Sequence, residues 1–458
     1  MSSAESTLTY TSPTTIQQRV WQPLLEEPLR QRALEAARYV ALRMVDPEVI
    51  QQQAAQASKQ MSEPAPWLPS ALSSGVCGVA LLHGFLAHHF PEHEQYVQRL
   101  LHHAAMSTRE QPIQSPGLFA GTTSLLITLN LLSNGGKRYQ KTLAGLRKAL
   151  FEQIEQQRYW RYGLERVAEY DYDVISGASG VLVCLVMGPP ADELTQQMIA
   201  RLIDYLIWLL EPHQRYGEER WCIKPEAIIS PSLRAQHRQG YFNCGLAHGL
   251  PGPLAALSLA YLAGYRYPRI SDAIASAADW LAVHRLDDEW GVNWPAVVPI
   301  EVATPHGAWA HLPVARAGWC YGAPGVARSL WLAGHVLEER AIQRLAIMGI
   351  EAVMQRPPEQ RMLLSPTLCH GVAGLLQICL RFAHESESIL VREQIPALVR
   401  QILDTFNPDF PLGFRDVERP GVAVDQPSWL EGAPGVAMAL LAAATEIPPI
   451  WDRILLIS

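Results

Sequence analysis

Long apolar runs, basic clusters and a cysteine framework are all missing from this sequence of 458 residues. Its apolar stretches fall well short of the roughly 20 residues that a membrane-spanning helix needs. Lysine and arginine are scattered, and the formal net charge is −7. This balance argues against a nucleic-acid partner, because phosphate binding requires clustered basic side chains. The remaining composition, 48% hydrophobic and 18% charged, is that of a globular protein with a large core.

The seven cysteines are an odd number spread along the chain, which argues against a set of disulfides. Residues 1–15 are polar and rich in serine and threonine. They have neither the basic start nor the apolar core of a secretory signal. We therefore predict a reduced, cytoplasmic protein, and we expect residues 1–18 to form a flexible N-terminus.

A short glycine signature, Gly-x-x-Gly, recurs along the chain, and repeats of this kind indicate a repeat fold. The seven copies begin at Gly75, Gly121, Gly177, Gly249, Gly322, Gly371 and Gly432. In the second copy Ser124 replaces the closing glycine. A run with little charge follows each signature, which is typical of a helix buried on all sides. These runs are 79–90, 125–132, 181–187, 253–263, 326–337, 375–382 and 436–444.

A second kind of helix is predicted before each signature, with apolar residues at helical spacing on one face and charges on the other. In 339–355, for example, Ile342, Leu345 and Ile350 belong to one apolar stripe. The other amphipathic helices are predicted at 28–45, 94–106, 139–157, 194–211, 268–285 and 389–406. An all-α fold, a sevenfold α/α toroid with an inner and an outer ring of helices, accounts for this alternation, since closure replaces the capping repeats of an open solenoid.

We predict that this toroid is a single domain of residues 1–458. The glycines are expected at the inner-helix N-termini, at one mouth of the ring, where they permit positive φ and close backbone approach and leave free N–H groups facing the mouth. Two segments interrupt the alternation. We predict a small irregular or β-containing insertion at 212–242, and a loop or hairpin at 287–304, both near the mouth.

Potential metal ligands stand beside two adjacent copies of the signature. Cys320 lies two residues before the fifth signature, and Cys369 and His370 immediately precede the sixth. Adjacent copies are neighbours in a ring, so two thiolates and an imidazole can occupy three corners of a tetrahedron. That set suits zinc, and an open fourth position is typical of catalytic zinc sites. His248, before the fourth signature, is the candidate for acid–base chemistry.

Cys77, Cys184 and Cys379 are interpreted as structural, because a lone buried cysteine usually acts as a small hydrophobic residue. For Cys222 and Cys244 the sequence favours a structural role without deciding it.

The motifs around these residues resemble the lanthionine synthetase C family. They are Gly245-Leu-Ala-His248-Gly249-Leu-Pro-Gly252, Arg316-Ala-Gly-Trp-Cys320-Tyr321-Gly322, Leu368-Cys369-His370-Gly371, Trp429-Leu-Glu431-Gly432 and Trp451-Asp-Arg-Ile-Leu-Leu. The resemblance covers essentially the whole chain and implies a sevenfold toroid with one catalytic Zn²⁺ per chain. It implies that the ligands are Cys320, Cys369 and His370, and that His248 is the acid–base residue.

The resemblance adds two residues to the expected site, and the implied mechanism adds a third. Asp173, which precedes the third signature, is implied to orient or assist the catalytic histidine. Arg316, four residues before Cys320, is expected to stabilise an enolate oxygen or to position Asp173. Tyr321 is a further candidate for the enolate-stabilising role.

The reaction that the resemblance implies is the addition of peptide cysteine thiols to dehydroalanine or dehydrobutyrine in the same peptide, which closes (methyl)lanthionine thioether rings. The chain has no room for a fused dehydratase domain, so it resembles the stand-alone cyclases of class I lanthipeptide, or lantibiotic, pathways. The implied partners are a dehydrated precursor peptide with its leader, a dehydratase and an export transporter. The implied location is cytoplasmic, with peripheral membrane association in a biosynthetic complex.

Three alternatives use the same fold. The protein could join glutathione to dehydroamino acids in damaged proteins. It could be a non-catalytic, zinc-containing scaffold that binds a peptide. It could perform another toroid chemistry, such as zinc-dependent prenyl transfer or carbohydrate cleavage. Prenyl transfer requires an Asp-Cys-His zinc set, and the two matched cysteines argue against it.

Overall fold

The computed structural model describes most of the chain. The described residues are 8–14, 16, 19–61, 65–156, 167–188, 192–211, 219–303, 308–419 and 421–458. Of residues 1–18, predicted to be flexible, 1–7, 15, 17 and 18 lie outside the described residues, whereas Thr9–Tyr10 form a paired strand. The first part of the predicted insertion, 212–218, also lies outside the described residues.

Seventeen α-helices form in these ranges. They are α1 (Glu27–Leu42), α2 (Pro47–Ser58), α3 (Val76–Leu86), α4 (Glu94–Glu110), α5 (Thr122–Leu131), α6 (Gln140–Gln156), α7 (Glu169–Tyr172), α8 (Ala178–Val186), α9 (Glu193–Leu210), α10 (Pro231–Gln236), α11 (Pro251–Leu262), α12 (Ile270–Val283), α13 (Ala323–Val336), α14 (Arg340–Gln355), α15 (Val372–Glu385), α16 (Ile389–Leu403) and α17 (Ala433–Ala444). None of the described helices is both long and apolar enough to cross a membrane.

Eight short strands pair into antiparallel two-stranded ribbons, β1 with β3, β2 with β6, β4 with β5 and β7 with β8. They are β1 (Thr9–Tyr10), β2 (Tyr241–Asn243), β3 (Tyr265–Arg266), β4 (Leu286–Asp288), β5 (Gly291–Asn293), β6 (Val297–Pro299), β7 (Asp416–Arg419) and β8 (Val422–Val424). The segment predicted as a loop or hairpin contains the β4–β5 hairpin. The described part of the predicted insertion contains α10 and the first residues of β2.

The inner ring consists of the seven helices that follow the glycine signatures, α3, α5, α8, α11, α13, α15 and α17. All eleven residues of α3 and all twelve of α17 are buried, because neighbouring helices surround them. Each inner helix packs against the next along the chain, and α17 packs against α3. The predicted sevenfold α/α toroid is thereby confirmed.

The outer ring is built from amphipathic helices. Each of α4, α6, α9, α12, α14 and α16 packs against the inner helix that precedes it in the chain. Helix α1 has no preceding inner helix and packs against α17 instead. The first and last helices of the chain therefore pack together at the place where the toroid closes.

Helix α2 lies outside the sevenfold alternation and was not predicted. Its start nevertheless has a local signal, because Asp46 Oδ1 accepts a hydrogen bond from the Glu48 N–H at 3.0 Å and Pro47 occupies the first turn. This helix lies beside the mouth of the toroid, where it lines a cavity with Ser428 and Glu431 of the seventh turn.

Close backbone approach explains the first glycine of each signature. A Cβ atom at Gly75 would lie 2.1 Å from the Leu68 carbonyl oxygen, and one at Gly371 would lie 2.3 Å from that of Ser365. Positive φ, the other expected reason, applies among these seven glycines only to Gly322, at 101°.

The expectation of free N–H groups at the inner-helix starts is wrong at six of the seven helices. At each of the six, an N–H donates to the carbonyl oxygen seven residues earlier. The pairs are Val76 to Pro69, Thr122 to Ser115, Gly180 to Asp173, Leu250 to Asn243, Val372 to Ser365 and Ala433 to Gln426. The turn before each of these helices therefore caps it.

A closed belt of backbone hydrogen bonds joins the seven turns that precede the inner helices. One N–H of each turn donates to a carbonyl oxygen of the next turn, and the seventh turn donates back to the first, at 2.7 to 3.2 Å. The bonds run from Leu72 to Phe119, Phe119 to Ile175, Val174 to Ala247, Ala247 to Cys320, Cys320 to Cys369, Cys369 to Leu430 and Trp429 to Ser73. The belt fixes the spacing of the residues at the mouth.

Ser124 strengthens this belt where the glycine pattern is broken. Its hydroxyl donates to the Leu118 carbonyl oxygen and accepts from the Leu72 N–H, both at 2.9 Å. In other copies the closing glycine instead leaves room for a side chain of the preceding turn. A Cβ at Gly325, for example, would lie 2.8 Å from the Cβ of Leu246.

Candidate metal centre and adjoining cleft

The two cysteines predicted to bind metal are neighbours in the belt. The Cys320 N–H donates to the Cys369 carbonyl oxygen at 3.1 Å. Their side chains are also hydrogen-bonded to one another. Because the backbone of two adjacent turns sets this arrangement, the two sulfur atoms are held close without a disulfide.

A third turn contributes a carboxylate that sequence reasoning did not assign to the site. The donor atoms of Cys369, His370 and Glu431 all lie within 4.8 Å of one another, and the predicted ligand Cys320 is not part of this set. Glu431 belongs to the seventh turn, directly before the signature glycine Gly432. Its position in the repeat, equivalent to Tyr321 and His370, was the signal that could have revealed it.

The His370 ring is oriented by a buried carboxylate. His370 Nε2 lies 3.0 Å from Asp416 Oδ1, and Asp416 also accepts a hydrogen bond from Ser365 Oγ at 2.7 Å. A carboxylate can only accept, so Nε2 carries the hydrogen and Nδ1 is left for a metal ion. Metal-ligating histidines commonly have such a carboxylate partner. Asp416 lies on β7, far along the chain, and no sequence motif points to it.

The hydrogen bond between the two thiols shifts their pKa values in opposite directions. The hydrogen bond from Cys369, supported by the charges of His370 and Arg316, lowers the pKa of Cys320 despite its burial. Donating that hydrogen bond, together with burial, raises the pKa of the Cys369 thiol. Burial lowers the pKa of His370, but Asp416 outweighs this and raises it above 6.5. A thiolate, a second thiol, an imidazole and a carboxylate are donors that fit a zinc ion.

The predicted acid–base histidine is hydrogen-bonded to the predicted aspartate. His248 Nδ1 lies 2.7 Å from Asp173 Oδ2. The other oxygen of Asp173 accepts from the N–H groups of Ser176 and Gly177 at 2.7 and 2.8 Å. Burial lowers the pKa of His248, but the hydrogen bond and charge of Asp173 outweigh burial and raise it above 6.5. The third and fourth turns thus present an imidazole whose Nδ1 is held by a carboxylate and whose Nε2 is not engaged by Asp173.

Arg316 and Tyr321 line one cleft with His370, of about 800 Å³. The Arg316 side chain is exposed there, and the described residues provide no hydrogen bond between it and Asp173. Two roles were expected for Arg316, and the described residues show no contact that would let it position Asp173.

The Tyr321 hydroxyl is held by a network that sequence reasoning missed. Asn243 Nδ2 donates to Tyr321 at 3.2 Å and to Glu169 Oε1 at 2.5 Å. Tyr241 donates to the same Glu169 oxygen at 2.9 Å. Asn243 Oδ1 accepts from the Gly245 N–H at 2.9 Å, which fixes the orientation of the amide. Burial raises the pKa of Tyr321, so its phenol remains a donor at neutral pH.

Part of the cleft lining comes from the segments that interrupt the helical alternation. Leu233 and His237 of the described insertion and Val297 of the second segment line it together with Met362 and Leu364. Leu364 and Met362 are large apolar side chains exposed by 55% and 44%. The cleft is large enough for an extended ligand and offers both apolar and polar contacts.

The remaining cysteines lie in the core. All five are buried, and burial raises the pKa of each thiol, to about 12 for Cys77, Cys222 and Cys379. They stay protonated at neutral pH, in agreement with the structural interpretation of Cys77, Cys184 and Cys379, and the same environment favours a structural role for Cys222 and Cys244.

Comparison with known proteins identifies the family. The sequence profile described as Lanthionine synthetase C-like protein matches residues 66–456. The chain belongs to this family. It is 23% identical over 348 residues to "Nisin biosynthesis protein NisC" of Lactococcus lactis subsp. lactis, a match that covers 75% of this chain and 81% of that protein. The solved structure named "Nisin cyclase" has the same fold, with a TM-score of 0.73 at 21% identity over 89% of this chain and 96% of that one.

Proposed function

We propose that the protein is a zinc-dependent lanthipeptide cyclase that adds peptide cysteine thiols to dehydroalanine or dehydrobutyrine in the same peptide. The observation that carries this proposal is the juxtaposition of a sulfur, nitrogen and oxygen donor set with a His–Asp pair around one belt of turns. Family membership and the similarity to a nisin biosynthesis protein support it.

Cys369 and His370 would hold one Zn²⁺ together with Cys320, whose side chain is hydrogen-bonded to that of Cys369, and Asp416 would fix the ring of His370. When bound, zinc supplies the Lewis acidity that keeps a peptide thiol deprotonated at neutral pH. The carboxylate of Glu431 is a further donor within the same set.

The residues of the chain account for the rest of the reaction. The peptide sulfur forms a bond to the β-carbon of the dehydroamino acid, and the electrons of the carbon–carbon double bond move to the carbonyl oxygen. Arg316 and the Tyr321 phenol stabilise the resulting enolate oxygen, because both are donors facing the cleft. His248 then delivers a proton to the α-carbon, and Asp173 keeps the imidazole charged and oriented. The proton lost by the thiol restores His248.

The 800 Å³ cleft is the proposed binding site for the precursor peptide. The described part of the predicted insertion, residues 219–242, belongs to a single toroid domain and contributes Leu233, Gln236, His237 and Tyr241 to this surface. A separate dehydratase supplies the dehydrated precursor with its leader, and an export transporter takes the product, in a complex on the cytoplasmic side of the membrane.

Incubation of the zinc-loaded protein with a synthetic peptide that contains one dehydroalanine and one cysteine tests the proposal. We expect loss of the free thiol without a change in mass, faster than in the absence of protein, and no acceleration by His248→Ala that still carries zinc. Addition of the mass of glutathione in a mixture with that thiol would identify the conjugating enzyme instead. Retained zinc with no thioether in any peptide would contradict the proposal and favour the peptide-binding scaffold.

A further inference from the structure

A second cavity, of about 300 Å³, borders the candidate metal centre. Glu431 lies in both, since its carboxylate belongs to the donor set and its side chain lines the cavity. The cleft described above lies along the fourth to sixth turns, whereas this cavity lies along the seventh and first turns, at Ser428 and Ser74. The order of turns around the ring therefore places the two cavities on different sides of the metal centre.

One wall of this second cavity is α2, the helix that the repeat does not require. Gln51, Ala54, Ala55 and Ser58 of α2 face the turn residues across it, and Trp67 completes the wall. The small side chains of the helix leave the space open. The cavity is therefore made by an addition to the toroid and not by the ring itself.

The lining of this cavity suits a neutral peptide backbone. Apart from Glu431, its described lining residues are uncharged, and serine hydroxyls and glutamine amides supply both donors and acceptors. Trp67 Nε1 is buried and has no acceptor among the described residues. A buried donor without a partner is costly, and a peptide carbonyl oxygen would satisfy it.

Ring closure joins the cysteine of a peptide to a dehydroamino acid elsewhere in the same peptide. A cyclase therefore needs space for the residues around both. The residues proposed to stabilise the enolate, Arg316 and Tyr321, line the cleft, so the dehydroamino acid and its neighbours belong there. We infer that the cavity between α2 and Trp67 binds the peptide residues that flank the cysteine, and so presents its thiol to the metal centre from the opposite side. This inference rests on the proposed function.

The test compares Ala55→Trp, which fills the cavity, with Gln56→Trp, an exposed neighbour on α2 that does not line it. The probes are two linear, fluorescein-labelled peptides that together make up one substrate peptide. The donor half contains the cysteine and its flanking residues, and the acceptor half contains the dehydroalanine. Fluorescence anisotropy gives the Kd of each half for the zinc-loaded wild type and variants. Circular dichroism and zinc content confirm that the variants are folded.

We expect Ala55→Trp to weaken binding of the donor half by about tenfold or more while changing the acceptor half by less than about twofold. Gln56→Trp should change neither, and Ser58→Trp should repeat the effect of Ala55→Trp. Equal binding of the donor half to wild type and to both cavity variants would overturn the inference, as would equal weakening of both halves. The proposed function is judged separately, by thioether formation with the intact peptide in the wild type, so that failure of one is distinguishable from failure of the other.

Discussion

His248 Nδ1 and Asp173 Oδ2 are 2.7 Å apart, although the two residues belong to different turns and are 75 positions apart in the chain. Asp173 is 2% exposed and is held by two backbone N–H groups, whereas the His248 side chain is 37% exposed. A fixed, buried carboxylate thus orients an imidazole whose other nitrogen remains accessible. Such a pair can hold a proton at a defined place and release it.

Asp173→Asn should lower the pKa of His248, because it removes the charge that raises this pKa above 6.5. In the proposed reaction His248 acts in its protonated form, so the rate falls as pH rises through its pKa. The alkaline limb of the pH–rate profile should therefore move to lower pH in Asp173→Asn. Nuclear magnetic resonance titration of His248 provides an independent check, and an unchanged midpoint in the variant would contradict the assigned role of Asp173.

Cys320→Ala should lose the metal ion, because it removes one of the two proposed sulfur ligands. The matched control is Cys379→Ala, which removes a buried thiol from the core of α15. Metal content of the purified proteins, measured by inductively coupled plasma mass spectrometry, should be near one zinc per chain in the wild type and the control and far below this in Cys320→Ala. Full zinc occupancy of Cys320→Ala would refute the ligand assignment.

Asp416→Asn should weaken zinc binding without removing a ligand. Loss of a carboxylate partner of a ligating histidine typically costs 10–100-fold in metal affinity, and we expect a reduction on this order. Asp425→Asn, which affects an ion pair with Arg415 at the same hairpin, should leave zinc affinity unchanged. Competition with a chromogenic chelator measures both affinities, and wild-type affinity in Asp416→Asn would show that His370 does not depend on this partner.

Ser124→Ala should destabilise the toroid, because the hydroxyl joins the first and second turns of the belt. The Leu118 carbonyl oxygen loses its donor and Leu72 loses an acceptor, at a cost of about 1–3 kcal/mol. In the control Ser329→Ala, the buried hydroxyl lost makes hydrogen bonds only within its own helix, so the cost should be smaller. Urea denaturation measures the free energy of unfolding of each variant. If Ser124→Ala and Ser329→Ala lowered it equally, the hydrogen bonds between turns would contribute no extra stability.

The repeat architecture could be predicted because each of its parts is local. Glycine spacing marks the turns, and apolar runs and amphipathic periodicity distinguish buried from outer helices. The placement of Cys320, Cys369 and His370 on adjacent turns followed from their positions relative to Gly322 and Gly371, and the structure brings these turns together. Their roles as ligands stay predictions.

The sequence did not predict helix α2 or the second cavity, because a single helix outside the repeat does not show up in the spacing of the glycine signatures. Asp416 was missed because its partner His370 is 46 positions away in the chain, and only folding reveals the pair. Of the two reasons expected for the signature glycines, close backbone approach is confirmed, whereas positive φ applies only to Gly322, because both depend on the path of the preceding turn.

The sequence by itself determined the sevenfold alternation, the turns and the kinds of donor atom carried by each turn, since these follow from residue type and spacing along the chain. The tertiary structure decided which donors meet. Closure of the ring brings Glu431 of the seventh turn beside Cys369 of the sixth, and the backbone belt fixes the separation of the turns. Distances between side chains from different turns depend on that closure, which no local pattern specifies.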